Sequence, residues 1–349
     1  MTDPTSGVTL ADLTTLRVGG PASRVVEPAD EASLIEAVSA CDATGEPVLL
    51  VGGGSNLLVS DVGFDGAVIR LNALRGIATE DVMACSGAFL RVAAGEPWDN
   101  VVAHCVANGF VGVEALSGIP GLAGATPIQN VGAYGQEVSH AIARVRTYDR
   151  VERKVRTFSV AECGFGYRYS RFKADPGRWL VLSISLQLRL GADSAPIRYA
   201  ELARRLGVEP GSRAPLAETR RAVIDLRKAK GMVLDASDHD TWSAGSFFTN
   251  PFLSAEQAAA LPPDAPRYPT GERVKSSAAW LIEHAGFGKG YGTPPATLST
   301  KHTLALTNRG GARAADILSL AREIRDGVET AFGVRLVPEP FLVGCSLEP

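Results

Sequence analysis

The feature that most constrains how this chain can fold is a glycine- and proline-rich run over residues 116–135, LSGIPGLAGATPIQNVGAYG. Glycine and proline at this density cannot sustain a regular helix or strand. Strand-like stretches flank the run at residues 90–94 and 145–148. Irregular loops of this length are uncommon inside compact domains and are usually functional. The run therefore predicts a long functional loop on a sheet-rich scaffold.

A second, shorter glycine loop, GGGSN at residues 52–56, follows the apolar stretch 47–50. No Gly-Lys-Ser/Thr follows it and residues 57–59 continue like a strand, so it is neither a Walker loop nor a dinucleotide fingerprint that opens a helix. Alone, it is most simply a tight turn without a ligand. Together, the two loops are typical of a binding site for an extended anionic ligand such as a dinucleotide. Backbone N–H groups of glycine can approach the phosphates of such a ligand closely.

Local patterns predict a mixed α+β protein. Asp30 is a suitable N-cap and Gly45 a suitable stop for a helix between them. Residues 179–190 end in strict alternation of apolar and polar side chains, which predicts a strand. Further strands are predicted over 47–50, 67–71, 90–94 and 145–148, and further helices over 199–206 and 315–332. The length of 349 residues suggests two or three domains.

Composition excludes several classes of protein. The chain carries 35 Lys and Arg against 38 Asp and Glu, a formal charge of −3, which argues against a basic nucleic-acid surface. Its 37 glycines show no Gly-X-Y period, so collagen is excluded. No apolar run is long enough to cross a bilayer, and the N-terminus does not resemble a signal peptide. Five cysteines without a Cys-x-x-Cys spacing indicate neither a disulfide framework nor a zinc site, and favour the cytoplasm.

Several motifs recur in the order known from one enzyme family. They are VGGGSNLL at residues 51–58, the glycine-rich run extended to Glu137, YRYSRFK at 167–173, GSFFTNP at 245–251, and Pro338-Glu339. In these motifs the chain resembles the UDP-N-acetylenolpyruvoylglucosamine reductases, flavoenzymes of peptidoglycan precursor synthesis. The similarity extends over nearly the whole chain, and it points to the subclass in which a tyrosine loop covers the substrate.

The resemblance implies an α+β fold of the FAD-binding PCMH type, the scaffold of vanillyl-alcohol-oxidase-like enzymes. Two α+β subdomains would hold FAD, and a third α+β domain would bind the substrate. We expect the first subdomain over residues 1–72 with 340–349, the second over 73–226, and the substrate domain over 227–339.

The resemblance also implies the reaction. NADPH would reduce a non-covalently held FAD, and the reduced flavin would pass hydride to the enolpyruvyl group of UDP-N-acetylglucosamine enolpyruvate, giving UDP-N-acetylmuramate. NADPH and this UDP-sugar are the expected partners. We expect a cytoplasmic monomer that binds no nucleic acid, spans no membrane and holds no metal.

The resemblance places the cofactor in the two glycine loops. The residues expected to contact FAD are Gly52, Gly53, Gly54, Ser55, Asn56, Ser117, Gly118, Ile119, Gly121, Gly124, Ala125, Thr126, Gln129 and Asn130. The phosphates would then be held by backbone amides and a few placed cations.

Three residues match the catalytic residues of the family: Arg168, Ser246 and Glu339. Hydride addition to an enolpyruvate leaves negative charge that must be stabilised and then protonated. The match makes Ser246 the proton donor, Arg168 the cation that stabilises the enolate, and Glu339 an acid that works in its protonated form. Without the match, Ser246 would end a turn, Arg168 would lie on the surface, and Glu339 would be solvated.

Three further residues match positions near the phosphates of the UDP-sugar or NADPH: Arg227, Lys230 and Asn250. Tyr199 falls in the loop that covers the substrate, and His302 is expected to bind substrate at a position where the family often has glutamine. Arg227 and Lys230 could equally belong to a single solvated helical face. The acidic stretch from Asp235 to Asp240 is longer than is usual in the family; a cation site is possible there, but an exposed turn is favoured. This insertion makes the position of Lys230 less certain.

Two other functions fit parts of the sequence. A different flavin oxidase on the same scaffold would bind FAD but act on another substrate. A non-catalytic module that binds flavin or a nucleotide sugar would need the glycine loops, but it would not need Arg168, Ser246 and Glu339 together.

Overall fold

The computed structural model describes residues 7–348. The α helices are α1 (Glu31–Thr44), α2 (Trp98–Ala107), α3 (Arg171–Ala174), α4 (Ala200–Leu206), α5 (Leu216–Ala229), α6 (Ala255–Ala260), α7 (Ala278–His284) and α8 (Ala314–Phe332). The strands are β1 (Ala22–Val26), β2 (Val48–Val51), β3 (Leu57–Val59), β4 (Phe64–Arg70), β5 (Ile77–Met83), β6 (Gly87–Ala93), β7 (Phe110–Val111), β8 (Gly132–Ala133), β9 (Gln136–Glu137), β10 (Ile142–Asp149), β11 (Lys154–Ser159), β12 (Trp179–Leu190), β13 (Phe252–Leu253), β14 (Tyr268–Thr270), β15 (Arg273–Lys275), β16 (Gly292–Thr293), β17 (Ala296–Leu298), β18 (Leu306–Asn308) and β19 (Phe341–Val343).

The chain divides into two compact units. The first contains residues 23–53 and 65–229, and the second contains residues 7–22, 54–64 and 230–348 of the described chain. The predicted α+β class is confirmed by this mixture of elements. The finer division into two FAD-binding subdomains and a substrate domain stays a prediction.

A large antiparallel sheet forms the centre of the first unit. Its strands run in the order β11-β10-β12-β6-β5, and β7 pairs with the end of β12. The predicted strand over 179–190 is confirmed as β12, whose inner residues such as Ile184 and Leu186 are fully buried. Trp98 and Val101 of α2 belong to the core on this sheet, and the Trp98 indole N–H donates to the Leu116 carbonyl (3.1 Å). The sheet and α2 therefore anchor the start of the glycine-rich run.

The predicted first helix is confirmed as α1. The Asp30 side chain accepts a hydrogen bond from the Ser33 amide (2.8 Å), and Gly45 ends the helix in the left-handed conformation (φ 72°). The buried side chains Leu34 and Val38 pack in a core with β4 and β12. Strand β2 runs parallel to β4, so the first glycine loop begins where β2 leaves this sheet.

The second unit is organised around α8, the predicted C-terminal helix. Ile317, Ala321, Ile324 and Val328 form its buried stripe, as the sequence predicted, and Gly333 ends it with φ 64°. The strand β3 pairs in parallel with β19, residue Leu57 opposite Phe341. Among residues 7–348, no helix is both long and apolar enough to cross a lipid bilayer.

An ion pair to a buried carboxylate joins the end of β10 to the start of β12 and yields a prediction. The fully buried Asp149 carboxylate accepts two hydrogen bonds from the Arg178 guanidinium (3.0 and 2.8 Å) and others from the Val151 and Glu152 amides. The bonds from Arg178 lower the pKa of Asp149. This carboxylate therefore stabilises the fold above the ordinary pKa of aspartate, and the contribution is lost as the pH falls through the lowered value.

Asp149→Asn should lower the free energy of unfolding at pH 7 by about 1.5–3 kcal/mol, because a charge-assisted pair is lost. In urea unfolding followed at several pH values, the difference from the unchanged protein should shrink as the pH falls through the lowered pKa of Asp149. Asp65→Asn is the control, since that carboxylate is exposed and accepts a hydrogen bond from the Ser23 hydroxyl (3.1 Å). A difference that is independent of pH would contradict this account.

Candidate functional site

The two glycine loops meet in the first unit. A Cβ built on Gly53 would lie 2.7 Å from the Gly121 Cα, and one built on Gly52 would touch the Leu122 side chain at 3.4 Å. Only bare backbone fits at Gly53, because no real Cβ approaches a backbone atom so closely. The amides of Gly53 and Gly121 donate to no acceptor within the described part of the chain. These N–H groups fit the phosphates of an extended anionic ligand.

The second loop is fixed by contacts along its whole length. The Gly118 amide donates to the Asp99 carboxylate (2.6 Å), and the Ser117 hydroxyl donates to the Glu114 carbonyl (2.6 Å). Gly124 packs so closely that a Cβ there would lie 2.5 Å from the Ala94 Cβ. The Thr126 hydroxyl bonds the Ala123 carbonyl in a short helical turn. The remaining predicted cofactor residues of this loop are Ile119 and Gln129, which are half-buried, and Ala125, which is exposed.

Asn130 and Arg168 are brought together in the first unit. The Arg168 guanidinium donates to the Gly132 carbonyl (3.0 Å) and, at 3.5 Å, to the Asn130 carbonyl. The buried Asn130 amide donates to the Glu137 carboxylate (2.8 Å) and to the Gly166 carbonyl (3.0 Å). These bonds join the glycine-rich loop to the segment that carries Arg168, so the half-buried cation is held beside the loop rather than left on the surface.

Backbone strain is concentrated in the same region. Asn130, Tyr134 and Arg168 have φ angles of 49°, 48° and 52°, in the left-handed region that side-chain-bearing residues rarely occupy. Such conformations persist where the surroundings enforce them, and they cluster at functional sites. The strain therefore supports a functional role for this part of the first unit.

Arg227 lies on an inward face of α5 together with Arg220. Arg220 forms a two-pronged pair with Asp99 (2.7 Å to each oxygen), whereas Arg221 and Lys228 are exposed. Burial lowers the pKa of Arg227 to about 10, against the opposing influence of Tyr134 and Asp99. Arg220 and Arg227 are seven residues apart and therefore share one face of α5, and that face is turned inward. The alternative prediction, in which Arg227 belongs to a solvated helical face, is therefore wrong.

Tyr199, predicted from the resemblance, meets a residue that the sequence reasoning missed. It precedes the first turn of α4 and is 48 % exposed, and its ring lies edge-on to the Tyr134 ring at 5.5 Å between centroids. Burial raises the pKa of Tyr134 to about 12, against the pull of Arg227. Tyr134 belongs to the glycine-rich run. The one available signal was a large polar aromatic residue placed between Gly132 and Gly135.

Ser246 and Glu339 are neighbours in the second unit. The peptide of Phe247 joins them, because its carbonyl accepts the Glu339 amide (2.8 Å) while its amide donates to the Leu304 carbonyl (2.7 Å). Phe247 and Phe248 are both 1 % exposed, which anchors this segment in the core of the unit. The Ser246 side chain is half-buried and forms no hydrogen bond with any described residue of the chain. The main chain of Ser246 is thus held next to the main chain of Glu339.

Asn56 ties the first glycine loop to Glu339 within the second unit. Its amide donates to the Glu339 carbonyl at 3.4 Å, and its carbonyl accepts the Phe341 amide (2.9 Å), where β3 and β19 begin to pair. Gly54 is packed as closely as Gly53, since a Cβ there would lie 1.9 Å from the Leu13 carbonyl oxygen. Ser55, between them, is half-buried.

The other predicted binding residues of the second unit lie on its loops. Asn250 accepts the Ala278 amide (2.9 Å) at the start of α7. His302 lies in the turn 299–305, whose Leu304 carbonyl holds the Phe247 amide. Lys230 is half-buried directly after α5.

The acidic insertion differs from the expected exposed turn. Asp235 is exposed, but Asp240 is only 4 % exposed and accepts the Thr300 amide (2.8 Å) and hydroxyl (2.6 Å) and the Arg309 guanidinium (2.8 Å). These hydrogen bonds outweigh burial and lower the pKa of Asp240. Asp238 pairs with Lys301 at 2.5 Å. The prediction of an exposed turn is therefore wrong for Asp240, whose partners are distant in sequence.

Among the described residues, no group of three or more acidic, histidine and cysteine side chains could hold a metal ion.

Comparisons with known proteins agree with this geometry. Residues 22–156 match the model of an FAD binding domain, and residues 236–343 match the C-terminal domain of UDP-N-acetylenolpyruvoylglucosamine reductase. Reductases of that name from Cutibacterium acnes and Streptomyces coelicolor are 56% and 55% identical to the chain; each alignment covers 97% of the chain and 90% of the relative. The crystal structure of the reductase from Thermus caldophilus superposes with a TM-score of 0.67 at 25% identity, covering 98% of this chain and 100% of that one.

Proposed function

Because the chain belongs to the UDP-N-acetylenolpyruvoylglucosamine reductase family, we propose that Ser246, Arg168 and Glu339 carry out its reaction and that it belongs to the subclass with a tyrosine loop. The reaction is the FAD-mediated, NADPH-dependent reduction of UDP-N-acetylglucosamine enolpyruvate in peptidoglycan precursor synthesis. The single observation that carries the proposed roles is the Phe247 peptide, which holds Ser246 beside Glu339.

FAD supplies the hydride carrier of this reaction when it is bound. In the first unit the cradle would consist of Gly52, Gly53 and the loop 117–130, whose bare amides suit a pyrophosphate. Gly54, Ser55 and Asn56 continue the same loop and would complete it. The match of residues 22–156 to an FAD binding domain supports this assignment.

Ser246 donates the proton that completes the reduction. Hydride addition at the terminal carbon leaves a basic carbon next to the substrate carboxylate, and a placed hydroxyl can protonate it. The Ser246 hydroxyl is not engaged by other described residues, and its backbone is fixed by the buried Phe247 and Phe248. Glu339, beside it, works as a neutral acid, because a charged carboxylate would repel the developing enolate.

Arg168 stabilises the enolate through its permanent charge. A guanidinium binds a carboxylate through two parallel N–H groups and stays protonated throughout the reaction. The left-handed backbone of Arg168 and its bonds to the carbonyls of Gly132 and Asn130 fix the side chain in advance. Because the guanidinium is already oriented, no free energy is spent on orienting it when the transition state forms.

Tyr199 and Arg227 bind the UDP diphosphate or the phosphates of NADPH. Tyr199 is half exposed at the N-terminus of α4 and contacts the Tyr134 ring, and the Tyr134 phenol group interacts electrostatically with Arg227. A phenol and a guanidinium are both good donors to phosphate. Lys230, Asn250 and His302 complete the set of expected polar contacts. We infer that the enzyme works as a cytoplasmic monomer.

The FAD cradle can be tested at a glycine with no conformational strain of its own. Gly53→Ala should reduce the flavin content of the purified protein at least tenfold, because the new Cβ meets the Gly121 backbone. The measurement is the ratio of flavin absorbance to protein absorbance. Gly288→Ala is the matched control, since a Cβ there would have open space. Full flavin content in Gly53→Ala would contradict the placement of the cofactor.

The role of Ser246 can be separated from its structural setting. In Ser246→Ala, reduction of bound flavin by NADPH should stay near normal, while reoxidation by the enolpyruvyl substrate slows by about 10²–10⁴-fold. Rapid mixing under anaerobic conditions measures the two half-reactions separately. Ser246→Thr keeps the hydroxyl and should retain more of the second half-reaction. If both half-reactions slow equally in Ser246→Ala, the residue is structural.

A further inference from the structure

Glu114, at the base of the glycine-rich loop, is a fully buried carboxylate that the proposed chemistry does not use. One oxygen, Oε1, accepts hydrogen bonds from the Gln136 side-chain amide (2.9 Å) and from the Ala195 backbone amide (2.6 Å). The other, Oε2, accepts the Gly112 amide (2.7 Å). Burying a carboxylate is costly unless its oxygens are satisfied, so these three donors belong to one organised cluster.

The three donors come from separate segments of the first unit. Gly112 precedes the glycine-rich loop, Gln136 follows it two residues after Tyr134, and Ala195 comes four residues before Tyr199. Gln136 also accepts the Ala115 amide (2.9 Å), so its orientation is fixed with its N–H₂ group toward Glu114. Glu114 is therefore the point where the segments carrying Tyr134 and Tyr199 are joined.

The segment from Ala195 to Tyr199 is also anchored to residues 211–214. Ser194, directly before it, is fully buried; its amide donates to the Ala214 carbonyl (2.8 Å) and its hydroxyl to the Ala195 carbonyl (2.8 Å). Ile197 is buried and exchanges backbone hydrogen bonds with Ser212 and Gly211, and Tyr199 itself is half exposed. The edge-on contact between the two tyrosine rings is made at the far end of this segment. The Ala195 bond, in contrast, joins the segment to Glu114 at the base of the glycine-rich loop, so its loss should shift the segment relative to that loop and disturb the relative position of the rings.

We propose that Glu114 is a positioning residue for substrate binding: its Oε1 fixes the Ala195 end of the segment and so holds Tyr199 against Tyr134. The inference rests on the proposed function, in which Tyr199 contacts the bound substrate. Glu114 touches neither the substrate nor FAD, and it acts only through the segment that it holds.

Two near-isosteric variants isolate the bond to Ala195. In Glu114→Gln, the amide oxygen can stay at the Oε1 position, where it keeps both Ala195 and Gln136, and only the Gly112 bond is lost. The second variant, called the swap, combines Glu114→Gln with Gln136→Glu. The side-chain N–H₂ group at position 114 must then turn toward the carboxylate at position 136. The side-chain oxygen at position 114 faces the Gly112 amide, and the Ala195 amide is left facing a donor.

The measurement is the dissociation constant of UDP-N-acetylglucosamine enolpyruvate for the oxidised, FAD-loaded enzyme, from the change in flavin absorbance. Glu114→Gln should weaken binding less than threefold. The swap should weaken it about tenfold, the effect of one buried donor left without an acceptor, while flavin content and the rate of flavin reduction by NADPH stay within twofold. Combined with Tyr199→Ala, the swap should add little, because both changes remove the same contact.

The outcomes distinguish the inference from the function on which it rests. Suppose that Tyr199→Ala weakens substrate binding. If the swap then leaves the dissociation constant unchanged, or weakens binding by the same factor in the Tyr199→Ala background as alone, the positioning role of Glu114 is wrong and the role of Tyr199 stands. If Tyr199→Ala leaves the dissociation constant unchanged, the role of Tyr199 is wrong and the inference falls with it. A general loss of flavin in the swap would show that Glu114 supports the fold alone, and it would overturn the inference.

Discussion

The approach of bare backbone to bare backbone at Gly53 and Gly121 is the constraint on which the first unit depends. The two loops come together only because neither carries a Cβ at the crossing. Strand β2 delivers one loop, and α2 with the large sheet anchors the other through Trp98 and Asp99. The glycines do not simply make flexible loops here. They allow a close approach that leaves amide N–H groups available to a ligand.

The proposed catalytic residues are positioned by hydrogen bonds to main-chain groups. The Phe247 peptide sets Ser246 beside Glu339, and carbonyls of the glycine-rich loop hold Arg168. The bonds at Phe247 are made by backbone atoms of a segment anchored in the core, whereas the bonds at Arg168 are made by its guanidinium.

How much the sequence could predict depended on whether the signal was local. The helix from Asp30 to Gly45 and the strand 179–190 follow from caps and periodicity, and both were predicted correctly. Asp240 was not, because its partners Thr300 and Arg309 lie about 60 residues or more away, and no local pattern records them. Glu114 was missed for the same reason. The proposed catalytic residues depend on the ordered family motifs, since a serine between glycine and phenylalanine carries no chemical signal by itself. The family match removes the alternative of a non-catalytic binding module.

The most direct test of the account is the oxidation of NADPH by the purified, flavin-loaded protein, measured with and without UDP-N-acetylglucosamine enolpyruvate. We predict slow oxidation without the sugar nucleotide and strong stimulation when it is added, with one UDP-N-acetylmuramate formed for each NADPH consumed. Absence of stimulation by that substrate, in protein that retains its flavin, would contradict the account.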